Sequence, residues 1–287
     1  MARRADVHGR GDMSDMARRD WDDAFSNMAQ VDGSEKLPAF WADRAARYRA
    51  SGVQLDEDIR YGDADRELMD IVWPDEAPKG LAVFVHGGFW IRMDKSHWTD
   101  LAEGARAKGW AIAFPQYTLA PEMRISQMTR QVAAAIALAA DKVNGPIRLA
   151  GHSAGGHLVT RMVCADSPLP TPVLNRIQHV LSLSGLHDLR PLMWTAMNEL
   201  LKLDEAEACA ESVALQRPNG HANVTAWVGG GELPEFIRQT KLLAMMWDGL
   251  DAGIREVIEG KHNHFTVLDS LKEANSPLTR AFIGELG

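Results

Sequence analysis

The sequence predicts an α/β protein built on a mostly parallel, eight-stranded sheet with helices on both faces. Short β-rich runs alternate with helix-compatible stretches along the chain, and this alternation is typical of parallel sheets covered by helices. Several runs, such as 81–85 (LAVFV), are apolar throughout. A continuous apolar run indicates a strand that is buried on both faces, as the strands of parallel sheets are.

The elements follow in a regular order. A first helix is predicted over 36–50, because Trp41, Ala45 and Tyr48 recur on one face at helical spacing. The predicted strands are 58–61, 67–73, 81–85, 110–114, 147–150, 179–183, 223–228 and 254–258. The helices predicted between them are 97–108, 125–143, 154–164, 192–210 and 234–251.

The chain is predicted to hold one domain. Residues 1–34 are polar and are expected to form a flexible N-terminal lead-in, in which Met13 and Met16 are alternative starts to Met1. Residues 35–287 are expected to form a single α/β domain. The stretch of about 186–222 is long enough to form a small helical cap over the carboxyl-terminal edge of the sheet.

Composition excludes several classes of protein. With 287 residues, 46% of them apolar and 24% charged, the chain can bury a stable core without staples. The formal net charge of −8 argues against nucleic-acid binding, and no apolar run approaches the ~20 residues of a membrane span. The two cysteines, Cys164 and Cys209, are too few for a disulfide framework. We therefore expect a cytoplasmic protein.

A candidate nucleophile stands at the end of one predicted strand. Residues 151–155 read Gly-His-Ser-Ala-Gly, a G-x-S-x-G motif between an apolar strand and a helix-compatible stretch. That context is the one in which the motif forms a nucleophile elbow, with Ser153 exposed at a helix N-terminus. The alternative is a glycine-rich turn in which Ser153 only caps the helix.

A second loop carries candidate oxyanion donors. The strand 81–85 runs directly into His86, Gly87 and Gly88. An H-G-G loop of this kind lies beside the nucleophile in esterases and lipases, and its glycines free backbone N–H groups to face the reacting oxygen. We expect the N–H groups of Gly88, Gly87 and Ala154 to stabilise the oxyanion, and His86 to brace the loop by hydrogen bonding.

The general base is expected after the last strand. Serine needs a base, normally His, which is oriented by a carboxylate. Among the histidines after Ser153, His262 and His264 directly follow the strand 254–258, whereas His187 and His221 lie earlier. We prefer His264, because the apolar stretch that follows it would anchor it, and we keep His262 as the alternative. These two histidines alone do not make a metal site.

The acid is expected after the preceding strand. Residues 223–228 run into a Gly-Gly-Gly turn, and Glu232 is the first carboxylate after it. Glu235 is expected at a helix N-terminus, where a negative charge is favourable. Asp188, after an earlier strand, is the other alternative.

Together these motifs resemble the α/β-hydrolase superfamily across about residues 55–285. Within it, they are most similar to the kynurenine formamidase (arylformamidase) group and its bacterial esterase relatives. The segments that carry the resemblance are 86–90 (HGGFW), 151–158 (GHSAGGHL), 184–191 (SGLHDLRP) and 264–265 (HF). The chain departs from that group at Glu232, where Asp is common, and at Asn263, where Asp often precedes the base.

The resemblance implies hydrolysis of N-formylkynurenine to kynurenine and formate, a step of tryptophan catabolism, without metal or organic cofactor. Esterase, thioesterase or another small-amide amidase activity is the alternative. Phe89, Trp90 and Trp194 are candidate substrate-binding residues, since aromatic side chains offer broad apolar contact. Arg92 and Arg190 could meet a substrate carboxylate. The nine Trp and thirteen Met residues would also suit a homodimer, although the core can equally use them.

Overall fold

The computed structural model describes residues 19–220 and 223–285. The strands in chain order are β1 (Leu55–Arg60), β2 (Leu68–Val72), β3 (Leu81–Val85), β4 (Ala111–Pro115), β5 (Ile147–His152), β6 (Ile177–Leu183), β7 (Asn223–Gly229) and β8 (Ile254–Glu259). The helices are α1 (Trp21–Phe25), α2 (Leu37–Arg49), α3 (Glu103–Ala107), α4 (Ile125–Lys142), α5 (Ala154–Arg161), α6 (Thr171–Leu174), α7 (Asn198–Leu201), α8 (Glu205–Glu211), α9 (Pro234–Trp247) and α10 (Pro277–Phe282). Short 3-10 turns connect several of them.

All eight of these strands join one sheet in the order β1-β2-β4-β3-β5-β6-β7-β8. Strand β2 runs antiparallel to both β1 and β4, and the strands from β4 to β8 are parallel to one another. The predicted architecture is therefore confirmed. Because β3, β5, β6, β7 and β8 run in one direction, the loops after their carboxyl ends emerge at the same edge of the sheet.

Strand β3 shows why its apolar run is continuous. Leu81, Val83 and Val85 belong to the core on one face of the sheet, whereas Ala82 and Phe84 belong to the core on the other face. Successive side chains of a strand point to opposite faces, and here helices cover both. Every position of the strand is therefore buried.

The prediction of one continuous helix over 192–210 is wrong. The structure has a 3-10 turn at Arg190–Trp194, then α7, then α8. Lys202 ends α7 in the left-handed region (φ 54°), and Asp204 begins the next helix by accepting a hydrogen bond from Glu207 N at 2.8 Å. The apolar periodicity of this stretch reflects several short turns, because local end signals interrupt the helix.

The expectation of a flexible lead-in differs from the structure over residues 19–34. This segment holds α1 and two 3-10 turns, and Phe25 is only 1% exposed. The ring of Phe25 meets the ring of Phe236 on α9 edge-on, with 6.1 Å between centroids. Burial of these aromatic side chains supplies the energy that orders a short polar segment. Residues 1–18 lie outside the described residues.

Replacing Phe25 tests how firmly this segment is docked. We expect Phe25→Ala to lower the free energy of unfolding by about 3 kcal/mol, because it removes a buried aromatic ring. Urea denaturation would measure the change. The matched control is Phe40→Ala, since Phe40 on α2 is 55% exposed and should change stability by less than about 0.5 kcal/mol. Equal losses in the two variants would contradict the docking of α1.

Candidate active site

Ser153 occupies a strained turn between β5 and α5. Its backbone has φ 55° and ψ −118°, which a non-glycine residue rarely adopts. The turn is possible only because its neighbours lack side chains: a Cβ at Gly155 would lie 2.0 Å from the carbonyl oxygen of Val85. A Cβ at Gly151 would lie 2.2 Å from the Gly155 oxygen. Strain of this kind is typical of functional positions.

The loop after β3 lies directly against this turn. A Cβ at Gly87 would come within 2.8 Å of the His152 oxygen and 3.0 Å of the Ser153 Cβ. Gly88 adopts φ 110°, a conformation that favours glycine. The main chain of Gly87 therefore packs directly against Ser153, and Gly88 lines the same cavity, as backbone donors to a reacting oxygen require.

His86 braces this loop. Its Nδ1 donates to the carbonyl oxygen of Gly87 at 2.7 Å, and its ring stacks on Tyr117 with 4.6 Å between centroids. The Tyr117 hydroxyl donates in turn to the His86 carbonyl at 3.1 Å. Burial lowers the pKa of His86 to about 4, so at neutral pH the ring is uncharged and keeps this arrangement.

Glu232 and His264 form a buried pair after β7 and β8. The Nδ1 atom of His264 lies 2.6 Å from Glu232 Oε2. The other carboxylate oxygen accepts from the Ser184 hydroxyl at 2.6 Å and from the Gly229 N–H at 2.8 Å. Three donors thus fix the Glu232 carboxylate. A carboxylate on Nδ1 leaves Nε2 of the ring as the atom that can take up a proton.

His152 supports the main chain at His264. Its Nε2 donates to the carbonyl oxygen of His264 at 2.8 Å, and the two rings lie 4.5 Å apart. Burial holds the pKa of His152 well below its ordinary value, and the nearby His264 acts in the same direction. His152 therefore stays neutral and acts as a hydrogen-bond donor that joins the elbow to the loop after β8.

One cavity brings the main predicted residues together. It has a volume of about 50 Å³, and Gly87, Gly88, Phe89, Ser153 and His264 all line it. The other lining residues come from several parts of the chain: Asn27, Met28, Trp41, Arg92, Met93, Trp98, His152 and Phe265. A space of this size holds only a few non-hydrogen atoms, since one water needs about 10–15 Å³ by the same measure.

Comparison with known proteins identifies the fold family of the chain. A family model described as alpha/beta hydrolase fold matches residues 82–230, more than half of the chain. The chain belongs to the α/β-hydrolase fold family.

Relatives within this family carry two kinds of name. Kynurenine formamidase of Danio rerio is 29% identical over 243 residues, which cover 80% of this chain and 81% of that protein. A crystal structure from Silicibacter sp. TM1040, provisionally assigned as a thioesterase, is 43% identical with a TM-score of 0.88. It covers 93% of this chain and 100% of its own. Esterase B of Lactobacillus Rhamnosis is 16% identical, with a TM-score of 0.65. The match covers 92% of this chain and 93% of that protein, and it shows a shared fold.

Two of the predicted substrate-binding residues lie away from the cavity of this α/β hydrolase. Trp90 is fully buried and packs edge-on against His157 at 5.3 Å, within the core. Trp194 is 72% exposed and lines a separate surface cleft with Trp21. Neither side chain is among those that line the cavity beside Ser153, so their role in substrate binding stays a prediction. Phe89 does line the cavity.

The alternative acids and bases have other partners. Asp188 accepts from Arg190 at 2.8 Å, and Glu235 binds Arg238 at 2.7 Å. His262 is exposed and lies 3.3 Å from Thr266. His187 is buried beside Ser182 at 3.2 Å. His221 lies outside the described residues.

Sequence analysis missed several residues at the site. Ser184 lies directly after β6 and has a φ of 50°. In the sequence it stands out only as part of the segment 184–191, which carries the family resemblance. Asn27 and Met28 come from the segment predicted to be flexible. Phe236 contacts the His264 ring at 4.5 Å. A strand-end position was the only available signal for Ser184, and none marked Asn27.

Two other kinds of feature, metal-binding clusters and membrane-spanning helices, are absent from the described ranges. No cluster of three or more His, Cys, Asp or Glu side chains that could hold a metal ion occurs in 19–220 or 223–285. Over the same residues, every helix is too short or too polar to cross a membrane.

The buried neutral His86 predicts a pH-dependent stability. The unfolded chain binds a proton near the ordinary pKa of 6.5, whereas the folded chain does so only near 4. Stability from this group is thus complete above pH 6.5 and is lost as the pH falls towards 4. The slope is about 1.4 kcal/mol per pH unit for one proton.

Urea denaturation at several values between pH 7 and pH 4 would measure the slope of stability against pH. His86→Asn keeps a donor for Gly87 and should flatten the slope by about 1.4 kcal/mol per pH unit. His262→Asn, at an exposed position, is the control and should leave the slope as it is. An unchanged slope in His86→Asn would show that folding does not lower the pKa of His86.

Proposed function

We propose that the protein is a serine hydrolase that cleaves a small aryl formamide through a Ser153–His264–Glu232 triad and a formyl-enzyme. One observation carries the proposal. His264, whose Nδ1 lies 2.6 Å from the Glu232 carboxylate, lines the same cavity as a strained serine on a G-x-S-x-G turn. A nucleophile, a base and an orienting carboxylate in this order are what acyl transfer by serine requires.

The first half of the reaction forms the acyl-enzyme. Ser153 Oγ attacks the formyl carbon while Nε2 of His264 takes the hydroxyl proton, and Glu232 stabilises the resulting imidazolium. The oxyanion accepts hydrogen bonds from the N–H groups of Gly88 and Ala154, with Gly87 as a further donor. The C–N bond then breaks, and His264 gives its proton to the departing aryl amine.

The second half releases formate. Water attacks the formyl ester of Ser153 while His264 accepts a proton from it. The second tetrahedral intermediate collapses, Ser153 regains its proton from His264, and formic acid leaves as formate. One amide and one water thus give one amine, one formate and one proton, with the enzyme unchanged.

Cavity size favours a small acyl group. The space beside Ser153 measures about 50 Å³, which is sufficient for a formyl or acetyl group. The relationship to kynurenine formamidases over four fifths of the chain supports an aryl formamide of the N-formylkynurenine type. A thioesterase or esterase acting on short acyl groups is the second candidate, favoured by the 43% identical structure with that provisional assignment.

Steady-state hydrolysis of N-formyl-L-kynurenine by wild type and Ser153→Ala tests the proposal. We expect the loss of the nucleophile to lower kcat by about 10⁴-fold or more, measured by the absorbance of kynurenine. p-Nitrophenyl acetate and a short acyl thioester serve as parallel substrates. Ser153-dependent turnover of these alone would replace the formamidase by the esterase or thioesterase, and full activity in Ser153→Ala would reject the serine mechanism.

Variants of Glu232 and of its hydrogen-bond donors are expected to lower kcat to different degrees. Glu232→Gln should lower kcat by about 10⁴-fold, since the amide no longer holds the imidazole in the required tautomer. Ser184→Ala removes one of three donors to Glu232 and should lower kcat about tenfold with little change in KM. Ser51→Ala, at an exposed position, is the control. A Ser184→Ala enzyme with wild-type kcat would contradict the positioning role of Ser184.

A further inference from the structure

Two buried hydrogen-bond donors of the cavity have no partner in the part of the chain that the structure describes. Asn27 is 4% exposed and lines the cavity, and its Nδ2 is unpaired. Trp98 is 3% exposed, lines the same cavity, and has an unpaired Nε1. Burying a donor without an acceptor destabilises the folded protein. Because both residues line the cavity, a ligand bound there can supply the missing acceptor.

The segment that carries Asn27 is held from both sides. Before it, the Phe25 ring packs on Phe236, which also contacts His264. After it, the Ser34 hydroxyl donates to the Met28 carbonyl oxygen at 2.6 Å. Asn27 is therefore placed beside the catalytic pair by fixed contacts, as a preorganised recognition group must be.

Trp98 is also held in place by packing against neighbouring side chains. Its ring packs against Trp41 with 4.9 Å between centroids, and Trp41 in turn packs against Phe265, the residue after His264. The indole N–H can only donate a hydrogen bond. With a second donor on Asn27, the cavity is suited to an oxygen acceptor and not to a donor.

We propose that Asn27 is a specificity-determining residue whose carboxamide donates a hydrogen bond to an acceptor oxygen near the scissile bond of the substrate. Trp98 Nε1 is the second donor of this subsite. The inference rests on the proposed serine hydrolase function and adds a class of substrate: formamides or esters with a ketone or ether oxygen beside the reacting carbonyl. A substrate without that oxygen leaves both donors unpaired and is discriminated against.

Matched substrates show which side of the scissile bond carries the oxygen. On the leaving-group side, 2-acetylphenyl acetate and 2-isopropenylphenyl acetate have nearly the same shape and differ in the acceptor. On the acyl side, phenyl methoxyacetate and phenyl butyrate also have nearly the same shape, and only methoxyacetate carries the acceptor oxygen. For each pair, kcat/KM of the substrate with the acceptor oxygen is divided by kcat/KM of the substrate without it. This ratio is compared between wild type and Asn27→Leu, so that intrinsic reactivity cancels.

We expect Asn27→Leu to reduce the ratio about tenfold for one of the two pairs, as the loss of one buried hydrogen bond does. Its Tm should equal or exceed that of wild type, because an unpaired buried donor is replaced by an apolar group of similar size. Asn144→Leu, at an exposed position before β5, is the control and should leave both ratios as they are.

The results separate the two proposals. Unchanged ratios for both pairs, or a Tm several degrees below that of wild type, would overturn the role of Asn27 and leave the serine mechanism intact. The proposed function would fail instead if Ser153→Ala hydrolysed the same esters at the wild-type rate. The Tm comparison does not depend on turnover, so it tests Asn27 even in an enzyme that cleaves none of the esters.

Discussion

The whole site depends on close backbone packing where β5 meets α5. Gly155 lies so near the Val85 carbonyl that no side chain fits between them, and Gly151 lies as near to Gly155. This packing requires β3 and β5 to be parallel neighbours in the observed register, in which Val85 pairs with Gly151. The contact forces Ser153 into its strained conformation and places the loop after β3 beside it. One steric constraint thus positions both the candidate nucleophile and the candidate oxyanion donors.

The acid and base depend on a second close approach, between the loops after β7 and β8. A Cβ at Gly229 would lie 2.1 Å from the His262 carbonyl oxygen, so the two loops touch at the level of the main chain. Ser184, at the end of the neighbouring strand β6, donates to the same carboxylate. Three successive parallel strands therefore each contribute one group to a short chain of hydrogen bonds. A glutamate can take the place of the shorter aspartate here because its carboxylate folds back to the Gly229 N–H.

The parts of the site that sequence could predict are those set by local position. Ser153, Glu232 and His264 each follow a recognisable strand, and parallel strands bring their carboxyl ends to one edge of the sheet. Trp90 and Trp194 could not be placed in this way, because side-chain direction in an irregular loop depends on packing against distant elements. The order of segment 19–34 escapes sequence analysis for the same reason: its polar composition hides one aromatic anchor, Phe25, whose partner Phe236 lies on α9, some two hundred residues later.

Asn27 lies outside residues 82–230, the region matched by the family model, whereas the elbow and the loop after β3 lie within it. The same division applies to Trp41 and to Phe265, which flank that region on either side and pack against each other. The candidate nucleophile and oxyanion donors thus lie within the matched region, whereas Glu232, His264 and part of the cavity wall come from segments outside it. Function resides in such a site and not in the fold. Relatives of similar fold can accordingly bear the names of formamidases and esterases, because a shared fold does not by itself fix the substrate.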